Sequence, residues 1–573
     1  MTRPTDGSGD PTNPATAEYA SDTERSPLLA RTPTARKPTT TTTTADDQDT
    51  SDGRLTALRA VLRPRVILLS FVLVFLLELS IGMSTAPTNA VMESIICRQM
   101  HPEVFPPRSS PPVTSPGLPP PPPGPPIPDQ NLTSLSGEGN LEAAAVGSIR
   151  YFAGGLILSD DPVCKGPDVQ GYLAMLRGWQ ATFDCVPGIV GAVPYGVLSD
   201  RWGRRPVLAL SLGGITLSLV WIYGIFFFSD VVPLWVTWFG SAFQLIGGGG
   251  PVVVAMFYTA IADVVPNGNR ATVFFQLAAV FLASQMVAGP LGGAMLIGGP
   301  WTPLLVSLVI LIIATFSILI FPETVHVHDR KAAEEERDAE DDGVPRLTKL
   351  WQKARTGLGE VWDFVLGNKS LAFLMVSLVF VILGRFVGEI LLQYATDRYG
   401  WSWSFASMVL TIRNAGSLVT LLAVLPAASW LGVQRLGMTA VAKDLWISRW
   451  SGVVQIVGSL LIAAAVDGWL FSIGLVWLAL GSGMSASIRS LLNTLVEEHH
   501  VGTVNSLVGF MEGLGMTIAG PLLAKSLSVG LNLGGGWIGL PFLTGAIFFT
   551  MSTAILWIFR MPNGRRSPVE PSC

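Results

Sequence analysis

The feature that most constrains this chain is a series of long, uninterrupted apolar runs. Residues 206–228, 301–321 and 536–559 contain no charged side chain. Each is close to the ~20 residues that cross a hydrocarbon core ~30 Å thick, and helices of soluble proteins are rarely apolar all round for that length. The composition agrees: 49% of residues are hydrophobic and only 14% are charged, against roughly a quarter charged in soluble domains. A net charge of −4 gives no reason to expect a nucleic-acid partner.

The runs divide into twelve expected membrane spans, at 66–92, 172–198, 206–228, 233–262, 271–297, 301–321, 371–394, 402–430, 450–466, 468–494, 502–529 and 536–559. Arg54, Arg59, Arg63 and Arg65 precede span 1, so that end is expected in the cytoplasm. Arg201, Arg204 and Arg205 between spans 2 and 3, and Arg435, Lys443 and Arg449 between spans 8 and 9, fall on the same side. So do Arg560, Arg565 and Arg566 after span 12, which puts both termini inside.

Residues 1–65 read as a disordered cytoplasmic tail, rich in Ser, Thr and Pro. Glu24-Arg-Ser-Pro-Leu28-Leu29 in this tail fits an acidic dileucine sorting signal, which keeps a vacuolar membrane open beside the plasma membrane. Residues 66–322 hold six spans and one long outer loop, 96–171, with a Pro tract at 119–126 that acts as an extended spacer. That loop carries an N-glycosylation sequon at Asn131. Cys97 and Cys164 flank its Pro-rich part and face an oxidising side, so a disulfide between them is expected, with free thiols as the alternative. Residues 323–370 form a cytoplasmic linker with a mixed-charge run, Lys331 to Asp342, and an amphipathic helix suited to the membrane surface. Residues 371–560 hold the last six spans, and 561–573 a short tail.

The turn between spans 2 and 3 reads Gly196-Val-Leu-Ser-Asp200-Arg201-Trp-Gly203-Arg204-Arg205. Asp200 there can pair with an arginine or meet a helix N-terminus, whose dipole favours an anion. Such a contact would latch one conformational state. This turn resembles the signature of the major facilitator superfamily, G-x-L-x-D-R-x-G-R-R, and matches it at every marked position. The resemblance extends over residues ~66–560 and includes Pro322-Glu323-Thr324 at the end of span 6. The stretch Gln170 to Pro206 looks like a fungal subgroup near the tetracycline-resistance and proton-coupled folate carriers. The resemblance implies an all-α membrane fold of two pseudo-symmetric six-helix halves around a central cavity. It implies alternating access, proton coupling and export of a drug or secondary metabolite by a monomer, with import of a nutrient or organic anion, or a non-transporting receptor, as alternatives. Two departures weigh against antiport. Span 4 has Gln244 and no arginine, and the glycine pattern of span 5, Gly289-Pro290-Leu291-Gly292-Gly293, is one residue short.

Ionisable groups at membrane depth are costly and mark functional candidates. At ~1.5 Å rise per residue, Glu78, Asp184, Arg413 and Glu512 fall near the midplane, and Arg385 slightly beyond it. Glu78 and Asp184 are candidate proton carriers, since a desolvated carboxylate takes up a proton more readily. Arg385 and Glu389, four residues apart, share a helix face and are expected to pair. Arg413 is either a partner for Glu512 or a site for an anionic substrate group. Gly247 to Gly250 suit close helix packing or a hinge. No cofactor, nucleotide or metal site is expected, because the chain has no Gly-Lys-Ser/Thr loop, no metal-ligand cluster and no nucleophile elbow. An enzyme is not indicated.

Overall fold

A computed structural model describes residues 45–105, 149–151, 157–159, 161–324, 369–495 and 501–559. The dileucine signal, the Pro tract, Asn131, the charged linker with its surface helix, and the C-terminal arginines lie outside the described residues. The chain divides into two units, Met1–Arg54 and Leu55–Cys573. Of the first, residues 45–54 are described, as helix. The bundle of apolar helices belongs to the second.

The apolar runs form helices because a segment in lipid must satisfy its own backbone hydrogen bonds. Ten helices among the described residues are long and apolar enough to cross a membrane. An eleventh qualifies if Pro167–Ala192 and Pro194–Trp202, bent by 52° relative to one another, count as one. Pro194 sits at the bend, where its missing N–H and ring clash interrupt the helical ladder. The expected span 4 is broken. A 3-10 helix at Leu234–Phe239 and a single turn at Gly240–Phe243 precede an apolar helix at Gly249–Val264. Gly247, Gly248 and Gly249 have φ of 96°, 82° and 65°, a left-handed run open to glycine at little cost. A count of twelve crossings therefore depends on reading this broken segment as one. Span 8 is continuous but loosened: Trp403–Val419 passes into π turns at Thr420–Val424 and Leu431–Arg435 on either side of the helical turn carrying Pro426.

Some boundaries differ from those expected. The first helix continues to Met100, eight residues past the expected end of span 1. The ninth begins at Ala440, so Lys443 and Arg449 are helical and not in a loop. Arg449 instead donates to the carbonyls of Leu556 and Phe559, at 2.9 and 3.0 Å, capping the end of span 12. The outer loop contributes one short antiparallel pair of strands, Ile149–Tyr151 and Ile157–Ser159, to a fold that is otherwise helical among the described residues.

Three buried apolar clusters organise the packing. One draws only on spans 1–6, with Leu73, Phe257 and Phe321 among its members. Another draws only on spans 7–12, including Leu378, Ile488 and Leu556. The third joins both groups and contains Ile96, Leu173, Tyr394, Phe471 and Phe542. It lies at the end of the bundle that carries the bonded pair Cys97–Cys164, called here the disulfide end. The turn Gly196–Arg205 lies at the opposite, hairpin end. Between apolar helices in lipid, association depends on close van der Waals fit and hydrogen bonds. Spans 2 and 11 meet in this way at Gly178 and Gly520, where a Cβ on Gly178 would stand 2.6 Å from the Ala524 methyl and 2.7 Å from the Gly520 carbonyl. Thr182 adds a hydrogen bond to the Thr517 carbonyl at 2.9 Å.

Candidate functional site

A cavity of about 270 Å³ lies where spans 1 and 2 face spans 7 and 11. Its polar lining is Asn89, Arg177, Gln180, Asp184, Glu389 and Gln393. Span 2 supplies three of these. Arg177, Gln180 and Asp184 recur at three- and four-residue spacing, which puts them on one helix face.

Among the predicted residues that line the cavity, Asp184 is the best-connected. Its Oδ1 accepts from Ser241 Oγ at 2.6 Å, Gln244 Nε2 at 3.0 Å and Gln180 Nε2 at 3.1 Å. Two of these donors come from the broken span 4, whose left-handed glycines follow directly after them. Gln244, the residue standing where an arginine is absent, is thus a partner of the carboxylate. Arg177 lies within electrostatic reach of both Asp184 and Glu389.

Two lining groups have hydrogen-bonding capacity left over. The Oδ1 of Asn89 and the Oε1 of Gln180 are buried and have no hydrogen-bond partner. A buried acceptor left unpaired costs roughly 1–3 kcal/mol, so these two atoms are places where a bound molecule with N–H or O–H donors would gain.

The other predicted residues distribute differently from expectation. Arg385 does not pair with Glu389; its guanidinium donates to Ser485 Oγ at 3.2 Å. The first helix of span 7 ends at Arg385, and a new one starts at Val387; Arg385 turns to Ser485 of span 10, while Glu389 lines the cavity. Arg413 does not pair with Glu512. Glu512 forms an ion pair with Arg489, while Arg413 packs over Gly388 and within electrostatic reach of Glu389. Glu389 therefore stands between the guanidinium of Arg177, from span 2, and that of Arg413, from span 8. Glu78 lies away from the cavity lining, buried against span 5, where it accepts from Gln285 Nε2 at 3.2 Å.

The hairpin residues form a second cluster. Arg204 pairs with Asp200 of its own turn and with Asp263 at the end of span 4, the latter at 3.3 Å. It also donates to Ser199 Oγ at 2.6 Å. The backbone amides of Arg204 and Arg205 donate to the Glu323 carboxylate at 2.8 and 3.2 Å, and Thr324 donates to Asp263 at 3.0 Å. Arg205 donates to the Leu319 carbonyl at 2.6 Å. Gly203 makes this possible: its φ is 105°, and a Cβ there would collide with the Glu323 carboxylate. Asp200 thus meets its arginine within the turn and not at another helix N-terminus. These contacts tie the hairpin to spans 4 and 6.

Sequence reasoning missed one group of residues. At the disulfide end the carboxylate of Glu93, 2% exposed, accepts from Lys165 Nζ at 2.6 Å, from Trp403 Nε1 at 2.6 Å and from Gln170 Nε2. Gln393 Nε2 donates to the Gln170 carbonyl at 2.7 Å and to its side-chain oxygen at 3.0 Å. Glu93 falls one residue beyond the expected span 1. The apolar sequence Ser94-Ile95-Ile96-Cys97 after it is the signal that the helix, and the buried environment, continue.

The family model described as Major Facilitator Superfamily matches residues 171–520. The MFS efflux pump atnC of Emericella nidulans is 32% identical over 409 residues, covering 71% of this chain and 78% of the pump. The class G tetracycline resistance protein of Vibrio anguillarum is 28% identical over 377 residues, covering 64% of this chain and 84% of its own. Among solved structures, the nucleoside transporter NupG superposes with a TM-score of 0.54 at 12% identity, over 86% of this chain and 98% of that one; this likeness concerns the fold alone.

Proposed function

Because the chain belongs to the major facilitator superfamily, we propose that it is a secondary transporter that exports a small organic molecule by alternating access, driven by protons. The observation that carries this reading is the cavity between spans 1, 2, 7 and 11, roofed at one end and lined by Asp184, Arg177 and Glu389. Similarity to a pump named for efflux and to a resistance protein supports the outward direction. It is a multi-pass membrane protein. In this reading spans 1–6 and 7–12 are the two rocking halves. The disulfide end faces outward, both termini are cytoplasmic, and the structure is closed outside. The transporter works as a monomer in the plasma membrane.

Asp184 is the residue we assign to proton coupling, with Glu78 as a second carboxylate outside the substrate path. Loading a proton on Asp184 would release the grip of Ser241 and Gln244 and free the broken span 4 to shift. The unpaired acceptors of Asn89 and Gln180, with Arg177 beside them, suit a substrate that carries N–H or O–H donors and an acidic group.

The test compares metabolites inside and outside cells that express or lack the protein, with and without a protonophore. The reading expects at least one organic compound to accumulate inside cells lacking the protein, and the difference to vanish with the protonophore. Asp184→Asn should abolish the proton dependence. An unchanged metabolite profile would sink export.

A further inference from the structure

We infer that Glu93 is the lock of the outer mouth, and that the disulfide-fixed end of the long outer loop supplies half of it through Lys165. This rests on the alternating-access reading above but concerns residues outside the cavity and the signature hairpin.

Glu93 lies one helical turn beyond Asn89, directly above the cavity. Its three donors come from separate parts of the chain. Lys165 belongs to the loop, Gln170 to the first turn of span 2, and Trp403 to the start of span 8. Gln393, which lines the cavity from span 7, completes the ring by donating to Gln170. Glu93 and Gln170 together thus hold spans 1 and 2 to span 8, through Trp403, and to span 7, through Gln393. Charge-assisted hydrogen bonds of this kind are short and about twice as strong as neutral ones. The charged groups facing the cluster are Lys165, which also lies 5.0 Å over the Trp403 ring, and Asp397 of span 7, within electrostatic reach of both Lys165 and Glu93.

The loop's part is topological. Cys164 is bonded to Cys97, one turn after Glu93 on the same helix, and its carbonyl accepts from Gln170 at 3.2 Å. Lys165 follows Cys164 directly. The disulfide therefore anchors the lysine to the helix that bears its partner. For the outer mouth to open, Trp403 and Gln393 must leave with spans 7 and 8, and Glu93 must give up a bond that crosses between the two groups of spans.

A native reporter exists. Cys185 lines the cavity and is the free cysteine among the described residues. The experiment labels Cys185 with a membrane-impermeant maleimide on a Cys573→Ser background, in right-side-out and in inside-out vesicles, for the unaltered lock, Glu93→Gln and Trp403→Phe. Thermal unfolding of each purified protein checks that it is folded. We expect labelling from the disulfide side to rise at least fivefold in both variants and labelling from the hairpin side to fall. Equal labelling in folded variants and parent overturns the proposal. So does a rise from both sides, which would mean general loosening. Because labelling needs no substrate, the result is independent of whether an exported compound is found. The same fivefold change with the two vesicle orientations exchanged would support the lock and overturn the proposed sidedness alone.

Discussion

The two ends of the bundle are both rich in polar bonds, yet they are built for different purposes. At the hairpin end, Arg204, Asp200, Asp263, Glu323 and Thr324 bind one another within spans 2 to 6. At the disulfide end, Glu93, Gln170, Gln393 and Trp403 bind across from spans 1 and 2 to spans 7 and 8. A cluster confined to one group of helices makes that group rigid, whereas a cluster that crosses between groups sets which conformation is preferred. Damage at the first should cost stability; damage at the second should shift the balance of states.

The largest effect is expected from Arg204→Ala. It removes the guanidinium that Asp200, Asp263 and Ser199 share. Hydrogen bonds to charged groups contribute roughly 1.5–3 kcal/mol each, so the thermal midpoint in detergent should fall steeply. The sidedness of Cys185 labelling should not change in whatever protein remains folded. A change of sidedness here would erase the distinction between the ends. Gly178→Ala comes next. Its methyl would press on Ala524 and the Gly520 carbonyl, and overpacking of this kind costs roughly 1–3 kcal/mol. Because the strain falls on the crossing of spans 2 and 11 in the closed state, the expected outcome is faster Cys185 labelling from the disulfide side with a modest loss of stability. A loss of stability with unchanged sidedness would mean that this crossing is structural only.

The smallest effect concerns pH. His101, just past the first helix, contacts Asp168 at 2.7 Å and Glu103 at 3.1 Å. The hydrogen bond to Asp168, then that to Glu103, raises its pKa above the ordinary value. A raised value means that the protonated imidazole is favoured in the folded chain. Its contribution is complete below the unfolded-state value near 6.5 and is lost as pH rises through the folded value. The site is exposed, so the effect is small. Thermal midpoints should be slightly lower at pH 8.5 than at pH 6, and His101→Asn should remove that difference. An identical pH difference in the variant would assign it elsewhere.

Much of the fold was readable from apolar run length, because lipid makes length and apolarity nearly sufficient conditions for a helix. The hairpin was readable too, since Gly203 and the charges around it occur in one short segment. What was not readable involved partners distant in sequence. Arg489 for Glu512 and Gln244 for Asp184 depend on which helix faces meet, and in place of the expected pairing with Glu389, Arg385 meets Ser485 of span 10. Glu93 escaped because hydropathy places a span's end where charge appears, whereas here the charge is buried by three donors, the farthest of them 310 residues away in sequence.

The left-handed run at Gly247, Gly248 and Gly249 has a genetic consequence. Every missense change in a glycine codon introduces a Cβ, and at these codons each such change meets a φ that L-residues rarely adopt. At Gly247 it also meets the backbone of Ser211. Saturation mutagenesis of this segment should therefore return a three-codon gap, indifferent to the chemistry of the incoming side chain. Gly250, with open space where its Cβ would be and no positive φ, should tolerate alanine beside it.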